Sequence, residues 1–436
     1  MIFNKHYCLK ISLNDLLFGH KLLTHSDKYQ VLERCLKKVI NLSDIYIDNN
    51  IITSSLLLKT IADNCHHLTR LTIPITSKTF INCDISDESI EYFGRKCGQK
   101  LKYLSISNLY PTTSDKVRLF LTFTPRLISL KVSQNTKSPL LSVQSSAKLL
   151  PKLQEFECNI IGGEDLIVLR DQYSKQLVRI AVWIPDLNIN DHSFVHFMSG
   201  HYPCLQSLDL KLGFDFKLNS ELKYNLCQEL SQLAANSPQL TRLTVNLIGC
   251  DFGVFNYLSI FSGFKSLTSL ELTMSSIVMQ NSFKDLRQLS QLKHLMIWFS
   301  SLSDLDFTNI AQYLPQLQSL VIKTDGQLAN KSLEHISGLK NLKSLEIICH
   351  YNPNMPSISE SGVKQLLVNC PDIRRIKLQN WMESPLILSE ELIDLFKERA
   401  KQMPKIDYYF GIKVIDPNLY LELLKYLPGN LRIELL

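Results

Sequence analysis

The apolar positions along the chain repeat one short figure: an apolar residue, two variable residues, a second apolar residue, one variable residue, a third. It appears at Leu42-Ile45-Ile47, Leu68-Leu71-Ile73, Leu101-Leu104-Ile106, Leu127-Leu130-Val132, Leu153-Phe156-Cys158 and Leu177-Ile180-Val182. It continues at Leu205-Leu208-Leu210, Leu240-Leu243-Val245, Leu267-Leu270-Leu272, Leu292-Leu295-Ile297, Leu317-Leu320-Ile322, Leu342-Leu345-Ile347 and Ile373-Ile376-Leu378. Two weaker copies lie near Ile406-Tyr409 and Leu431-Ile433. The second and third residues of each triad are two apart, so they share one face of a short strand. The stretch between triads must return across the structure, and it reads as a helix. Within Asn219–Ala234, Leu222, Leu226, Leu230 and Leu233 recur at three or four residues, one face of a helix. Asp63, Gln312 and Lys364 fall in similar segments. Pro125, Pro151, Pro203, Pro238, Pro315, Pro371 and Pro404 each stand two residues before a triad. A proline there ends the helix and begins the extended segment.

The triads recur on average every ~28 residues, and between Leu267 and Leu342 about every 25, inside the leucine-rich-repeat range of roughly 20–29. The expected fold is therefore α/β: a leucine-rich-repeat solenoid of roughly thirteen to fifteen units. Its parallel strands would line the concave face of a horseshoe, with helices on the convex face. No unit buries its apolar face alone, so the array must stack as one cooperative body. Residues 41–436 are read as the solenoid. Residues 1–40, where Leu9–Leu13 and Tyr29–Val39 resemble another strand and helix, are read as an N-terminal partial repeat or cap.

Composition narrows the function classes. Apolar residues make up 45% and charged residues 20%, as in an ordinary folded protein. The 47 basic and 41 acidic residues give a charge of only +6, without a dense Lys/Arg run, so no nucleic-acid partner is expected. No stretch is apolar for long enough to span a bilayer, and the first residues do not form a secretory signal. The 11 cysteines are scattered and odd in number, which fits free thiols in a reducing compartment. The chain is accordingly placed in the cytoplasm, the nucleus or both. Asn41-Leu-Ser43 and Asn330-Lys-Ser332 match the glycosylation sequon, a match that arises readily by chance.

No phosphate-binding Gly-Lys-Ser/Thr loop or Gly-x-Ser-x-Gly elbow is present, and the paired acidic residues form no arguable dyad. No catalytic, cofactor or metal site is assigned. His192 and His196, with His201 and Cys204 beyond, have metal-like spacing. They lack the glutamate of a zinc-protease motif and read as helix and loop histidines.

Several units run helix, Cys or Asn, Pro, then the triad, as in Ser359–Leu378 with Cys370-Pro371. Ile85–Cys97 and Leu58–Leu71, with Cys65, have the helix and its cysteine. This pattern resembles the cysteine-containing, ribonuclease-inhibitor-like repeats of F-box/leucine-rich-repeat proteins, the substrate receptors of cullin-RING ubiquitin ligases. The resemblance covers roughly residues 40–436. It implies a substrate-recognition part of an SCF-type ligase, acting in proteasomal degradation. Two departures stand out. The polar position after the strand holds Asn50 and Asn135 but otherwise Thr76, Gly213, Ser275 or Asp325, and residues 1–40 contain no recognisable F-box. An adaptor would then be reached through a missing or separate segment. The alternative is an intracellular binding scaffold unrelated to ubiquitin. Fold alone does not choose between them.

The binding residues expected from the pattern are those flanking the strand's buried positions, which alternate onto the opposite face. They are Arg70, Tyr103, Lys131, Arg179, Trp183, Lys211, Arg242, His294, Met296, Trp298 and Arg375, with Glu155, Glu157, Asp209, Lys323 and Lys377 among them. Tryptophan and arginine are enriched among residues that carry interface energy, so Trp183 and Trp298 are the expected anchors for a protein substrate.

Overall fold

A computed structural model describes residues 34, 36–38, 42–47, 55–74, 85–109, 114–134, 147–185, 192–213, 220–248, 258–278, 282–326, 328–349, 358–380, 391, 392, 394, 395, 398, 401, 408–412 and 431–435. Nearly all of the N-terminal segment read as a partial repeat lies outside them, as do Asn41, Pro404 and most residues after Asn380. The chain divides into two compact units, Met1–Leu210 and Lys211–Leu436.

Each expected triad becomes a strand. In the first unit these are β1 (Asp44–Tyr46), β2 (Arg70–Pro74), β3 (Tyr103–Leu109), β4 (Ser129–Gln134), β5 (Glu155–Cys158) and β6 (Arg179–Ile184), with β7 (Ser207–Gly213) starting at its end. The second unit holds β8 (Arg242–Ile248), β9 (Ser269–Val278), β10 (His294–Ser301), β11 (Ser319–Thr324), β12 (Ser344–Cys349), β13 (Arg375–Asn380), β14 (Tyr408–Ile412) and β15 (Leu431–Leu435). Within each unit the strands pair in parallel and in chain order. With one strand per repeat and the return segments behind the sheet, the architecture is an α/β leucine-rich-repeat solenoid.

The register stacks like on like. In the first unit Leu71, Leu104, Leu130, Phe156 and Ile180 lie opposite one another in turn. In the second, Leu243, Leu270, Leu295, Leu320, Leu345 and Ile376 do the same. All of these are buried, and so are the first residues of the triads, from Leu42 to Ile373. Burying one such side chain contributes ~1.5–3 kcal/mol, so the ladder is the main source of stability. A one-residue slip would turn every ladder residue to solvent, which fixes the register. The register also pairs Ile376 with Phe410 and Arg375 with Tyr409, so β14 takes its repeat position one residue later than the Ile406-Tyr409 reading.

The approach to each strand also repeats. The amide of the first triad residue donates to the carbonyl three positions back: Leu127 to Thr124, Leu153 to Leu150, Leu205 to Tyr202, Leu240 to Ser237, Leu317 to Leu314 and Ile373 to Cys370. Each is a tight turn with proline second, the place where its fixed φ belongs. The next two amides converge on one carbonyl of the preceding repeat, as Gln318 and Ser319 do on Lys293.

The return segments are more varied than the uniform helix expected from sequence. Helices run over Ser55–Asn64, Asp87–Cys97, Ser114–Thr122, Ser220–Asn236 and Glu360–Asn369. Ala147–Leu149, Ser282–Gln288 and Asp304–Phe307 are 3₁₀ turns, and Leu258–Phe261 is a single α-turn. Length accounts for the widest contrast among them. The long interval between Leu205 and Leu240 holds the 17-residue helix, whereas the shorter repeats after Leu267 carry strands of 10 and 8 residues and leave little chain for the return. A 3₁₀ turn rises ~2.0 Å per residue against ~1.5 Å for an α-helix and covers the distance with fewer residues.

Polar side chains join successive repeats at both ends of these segments. The amide that opens a helix is accepted by the first residue of the preceding return segment: Ser86 N–H by Ser55 Oγ at 2.7 Å, Ala329 N–H by Asp304 Oδ1 at 2.9 Å, Ser359 N–H by Asn330 Oδ1 at 2.8 Å. At the other end the Cys97 thiol points at the carbonyls of Ala62 and Cys65 (3.9 and 3.5 Å), and the Cys370 thiol at those of Ser337 and Leu339 (both 3.5 Å). These carbonyls lie at or just past the end of the preceding helix, where no partner exists within the helix itself.

Candidate functional site

The sheet face turned away from the return segments carries the residues picked out by alternation. In the first unit Arg70, Lys131 and Arg179 are exposed and Tyr103, Glu155, Glu157, Trp183 and Asp209 half-buried. In the second, Lys211, Arg242, His294, Trp298 and Arg375 are exposed and Met296, Lys323 and Lys377 half-buried. None of them joins the core.

In the first unit several of these residues enclose a pocket of ≈ 450 Å³ over β2 to β6. The Arg70 guanidinium lies 4.3 Å from the centre of the Tyr103 ring, its neighbour in register. Lys131 Nζ meets Glu157 Oε1 at 2.5 Å, and Arg179 Nη2 approaches Glu157 Oε2 at 3.5 Å, so one carboxylate on β5 is shared by cations from the strands on either side. Thr72, Ser105 and Ser129 complete the lining with hydroxyls. Sequence reading passed over these small residues, although the same alternation places them on this face. Trp183 lies on β6 with its Nε1 shielded from solvent and without a hydrogen-bond partner.

The second unit presents a different surface. Met296 lies opposite Glu271 on one side and Val321 on the other, and Trp298 lies between Thr273 and Lys323. Val321 and Lys323 are followed on β12 by Glu346 and Ile348. Trp298 is 39% exposed, and Lys323 Nζ sits 5.7 Å from its ring centre. Lys377 Nζ pairs with Glu346 Oε1 at 3.2 Å. An apolar group of Met296, Trp298, Val321 and Ile348 is thus bordered by charges of both signs. Val321 and Ile348 are further members that sequence reading missed. Each looks like an ordinary strand residue until the register sets it beside a tryptophan or a methionine.

The other candidates have structural roles. His196 Nε2 lies 3.0 Å from Asp171 Oδ1 and 2.9 Å from Arg170 Nη1, and the His192 and His196 rings meet edge to face at 5.5 Å. Arg170 and His196 together hold the Asp171 carboxyl below the usual range. Among the described residues no group of three or more His, Cys, Asp or Glu could hold a metal ion, and no helix is long and apolar enough to cross a membrane. Both polar members of the Asn330 sequon are engaged. Asn330 Nδ2 donates to Ser359 Oγ at 2.7 Å and Ser361 Oγ at 3.1 Å, while Ser332 Oγ is fully buried and bonded to Asp304. The described cysteines are free thiols. Burial pushes Cys65 up to about 12 and Cys97 to about 11, far from the thiolate range that reactivity requires.

No family model and no curated protein matches the chain. Among solved structures it is similar to Rad7 in its complex with Elc1 from yeast, at 14% identity and a TM-score of 0.45 over 97% of this chain and 90% of that one. It is also similar to TLR13 in a complex with ssRNA13, at 15% identity and 0.40 over 92% and 65%. A third is an internalin (inlF) from Listeria monocytogenes, at 16% identity and 0.35 over 84% and 92%.

Proposed function

We propose that this chain is a non-catalytic protein-recognition module that binds through the outward face of its sheet. The observation that carries the reading is the character of that face. In the first unit it displays a tyrosine and arginines, and in the second a tryptophan, a methionine and further arginines, each with positive and negative side chains intermixed. Aromatic, Met and Arg side chains are enriched at protein interfaces. A nucleic-acid surface would instead gather cations in one stripe.

The finer reading is that the module presents a protein substrate to a cullin-RING ubiquitin ligase in the cytoplasm or nucleus. Its support is the repeat subtype. Cys65, Cys97 and Cys370 stand at matching places between a helix and the next strand, and the last two thiols face the carbonyls of the repeat before. The adaptor would be engaged by another segment or chain. The second reading, a binding scaffold outside the ubiquitin system, uses the same face.

One experiment separates the three cases. A photo-crosslinking amino acid is placed at Met296 on the face, or at exposed Val368 on the helix side, and adducts formed in cells are identified by mass spectrometry. Adducts from position 296 that include a cullin complex in the same purification support the ligase reading. Adducts from position 296 without one support the scaffold. Adducts from position 368 alone would show that binding uses the other side, and the proposal would fail.

A further inference from the structure

The pocket of the first unit has two charges left over. Lys131, Glu157 and Arg179 satisfy one another. Arg70 has the Tyr103 ring, and among the described residues no ion pair engages Arg70 or Glu155, although the register sets Asp44 beside Arg70 on β1 and Arg179, already drawn to Glu157, beside Glu155 on β6. The two lie in the same row of the register: Arg70 opposite Tyr103, Tyr103 opposite Ser129, Ser129 opposite Glu155. A cation and an anion therefore face solvent three strand spacings apart, with an aromatic ring and a hydroxyl between them.

Three spacings of ~4.8 Å make about 14 Å. An extended peptide laid across the strands rises ~3.4 Å per residue, so four residues span that distance, and residues four apart point to the same side. We propose, building on the recognition reading above, that this pocket receives an extended segment of a protein partner. The segment carries a carboxylate side chain and a cationic side chain four residues apart. Its carboxylate forms a charge-assisted pair with Arg70, which is already oriented by Tyr103, and its cation pairs with Glu155. The intervening residues cross Tyr103 and Ser129. A phosphodiester backbone fits poorly, because it would set negative charge over Glu155 and Glu157 as well as over Arg70. Arginine over an aromatic ring retains its in-plane donors for a carboxylate.

The test uses the full chain and a fluorescein-labelled nonapeptide of Thr and Ser carrying one Glu and one Lys four residues apart. Anisotropy is read in low-salt buffer. The expected result is saturable binding, weakened about tenfold when the two charges are moved to two residues apart, as for loss of one charged hydrogen bond. Arg70→Glu weakens the original peptide similarly and instead favours a peptide with Lys at both positions. Because Arg70 is exposed, its melting temperature should match the parent's. Equal binding of all peptides, or an unchanged preference in Arg70→Glu, overturns the inference. So does an oligothymidylate of the same length that outcompetes the peptide. The Met296 crosslink arises on the second unit, so its survival alongside such a result would leave the general recognition reading standing.

Discussion

Replacing Asn330 by alanine tests the idea that the repeats are locked together by side chains at their helix starts. Asn330 makes three contacts with the following repeat: Oδ1 accepts from Ser359 N–H at 2.8 Å, and Nδ2 donates to Ser359 Oγ at 2.7 Å and Ser361 Oγ at 3.1 Å. A Cβ on Gly362 would touch Asn330 Cγ and Leu333 Cδ1 at 3.0 Å each, so the helix Glu360–Asn369 sits directly on this amide. The third bond is exposed and contributes little. Each of the two half-buried bonds contributes ~1 kcal/mol, and an orphaned amide and lost packing bring the total to ~2–3 kcal/mol. For a body of this size ~1 kcal/mol moves the midpoint by roughly 2–4 °C. Thermal unfolding followed by circular dichroism should therefore show Asn330→Ala melting ~4–12 °C lower. Asn330→Asp keeps the acceptor for Ser359 N–H, and its second oxygen can accept from the serine hydroxyls, so its midpoint should fall by only a few degrees at most. If Asn330→Ala melts within about 1 °C of the parent, the lock between repeats does not contribute as argued. The same geometry argues against use of the sequon, because a glycan on Nδ2 would replace one of the two N–H donors these bonds require.

Other positions give independent checks. Trp298→Ala should weaken partner binding about tenfold or more while lowering the melting temperature far less than Leu320→Ala, a fully buried ladder residue whose truncation costs ~3 kcal/mol; equal losses of stability would place Trp298 in the core. Glu229 is 8% exposed, its Oε2 lacks a hydrogen-bond partner, and burial raises its pKa. A raised carboxyl binds its proton more tightly when folded, so stability falls as pH rises from the ordinary glutamate value of ~4.3 through the folded one. Glu229→Gln should then melt higher than the parent at pH 7, with the difference shrinking in acid; an equal or lower midpoint at pH 7 contradicts this. Cys65 and Cys97 should resist a thiol-disulfide reagent in the native protein and react at the ordinary rate in denaturant; labelling of either before unfolding would show that the thiols are not closed in as described.

The strands were legible because one demand, burial of two apolar residues per repeat, is made again at every turn of the chain. Leu320 and Ile322 sit between Leu295 and Ile297 on one side and Leu345 and Ile347 on the other, as their spacing required. Where the local pattern is ambiguous the reading drifts. Tyr408, Tyr409 and Phe410 are three aromatics in a row, and only the pairing with Ile376 shows which one occupies the ladder position. The return segments were less legible because their form depends on how much chain remains after the strand. Asp304 and Asn330 look like surface residues locally, and their role appears only when the next repeat brings an amide to them.

For the candidate site, alternation gave the face but not the groupings on it. Arg70 and Tyr103 are neighbours only through the register of β2 on β3, and Glu157 is shared only because β4 and β6 flank β5. This follows from the physics of a repeated strand. The inward positions are held to one chemistry by packing, whereas the outward positions contribute little to stability and are free to vary from repeat to repeat. Folding and binding are therefore carried by alternate residues of the same strands. Substitutions at Arg70 and Trp298 should act on binding with little effect on melting, while those at Leu320 or Asn330 act on melting first.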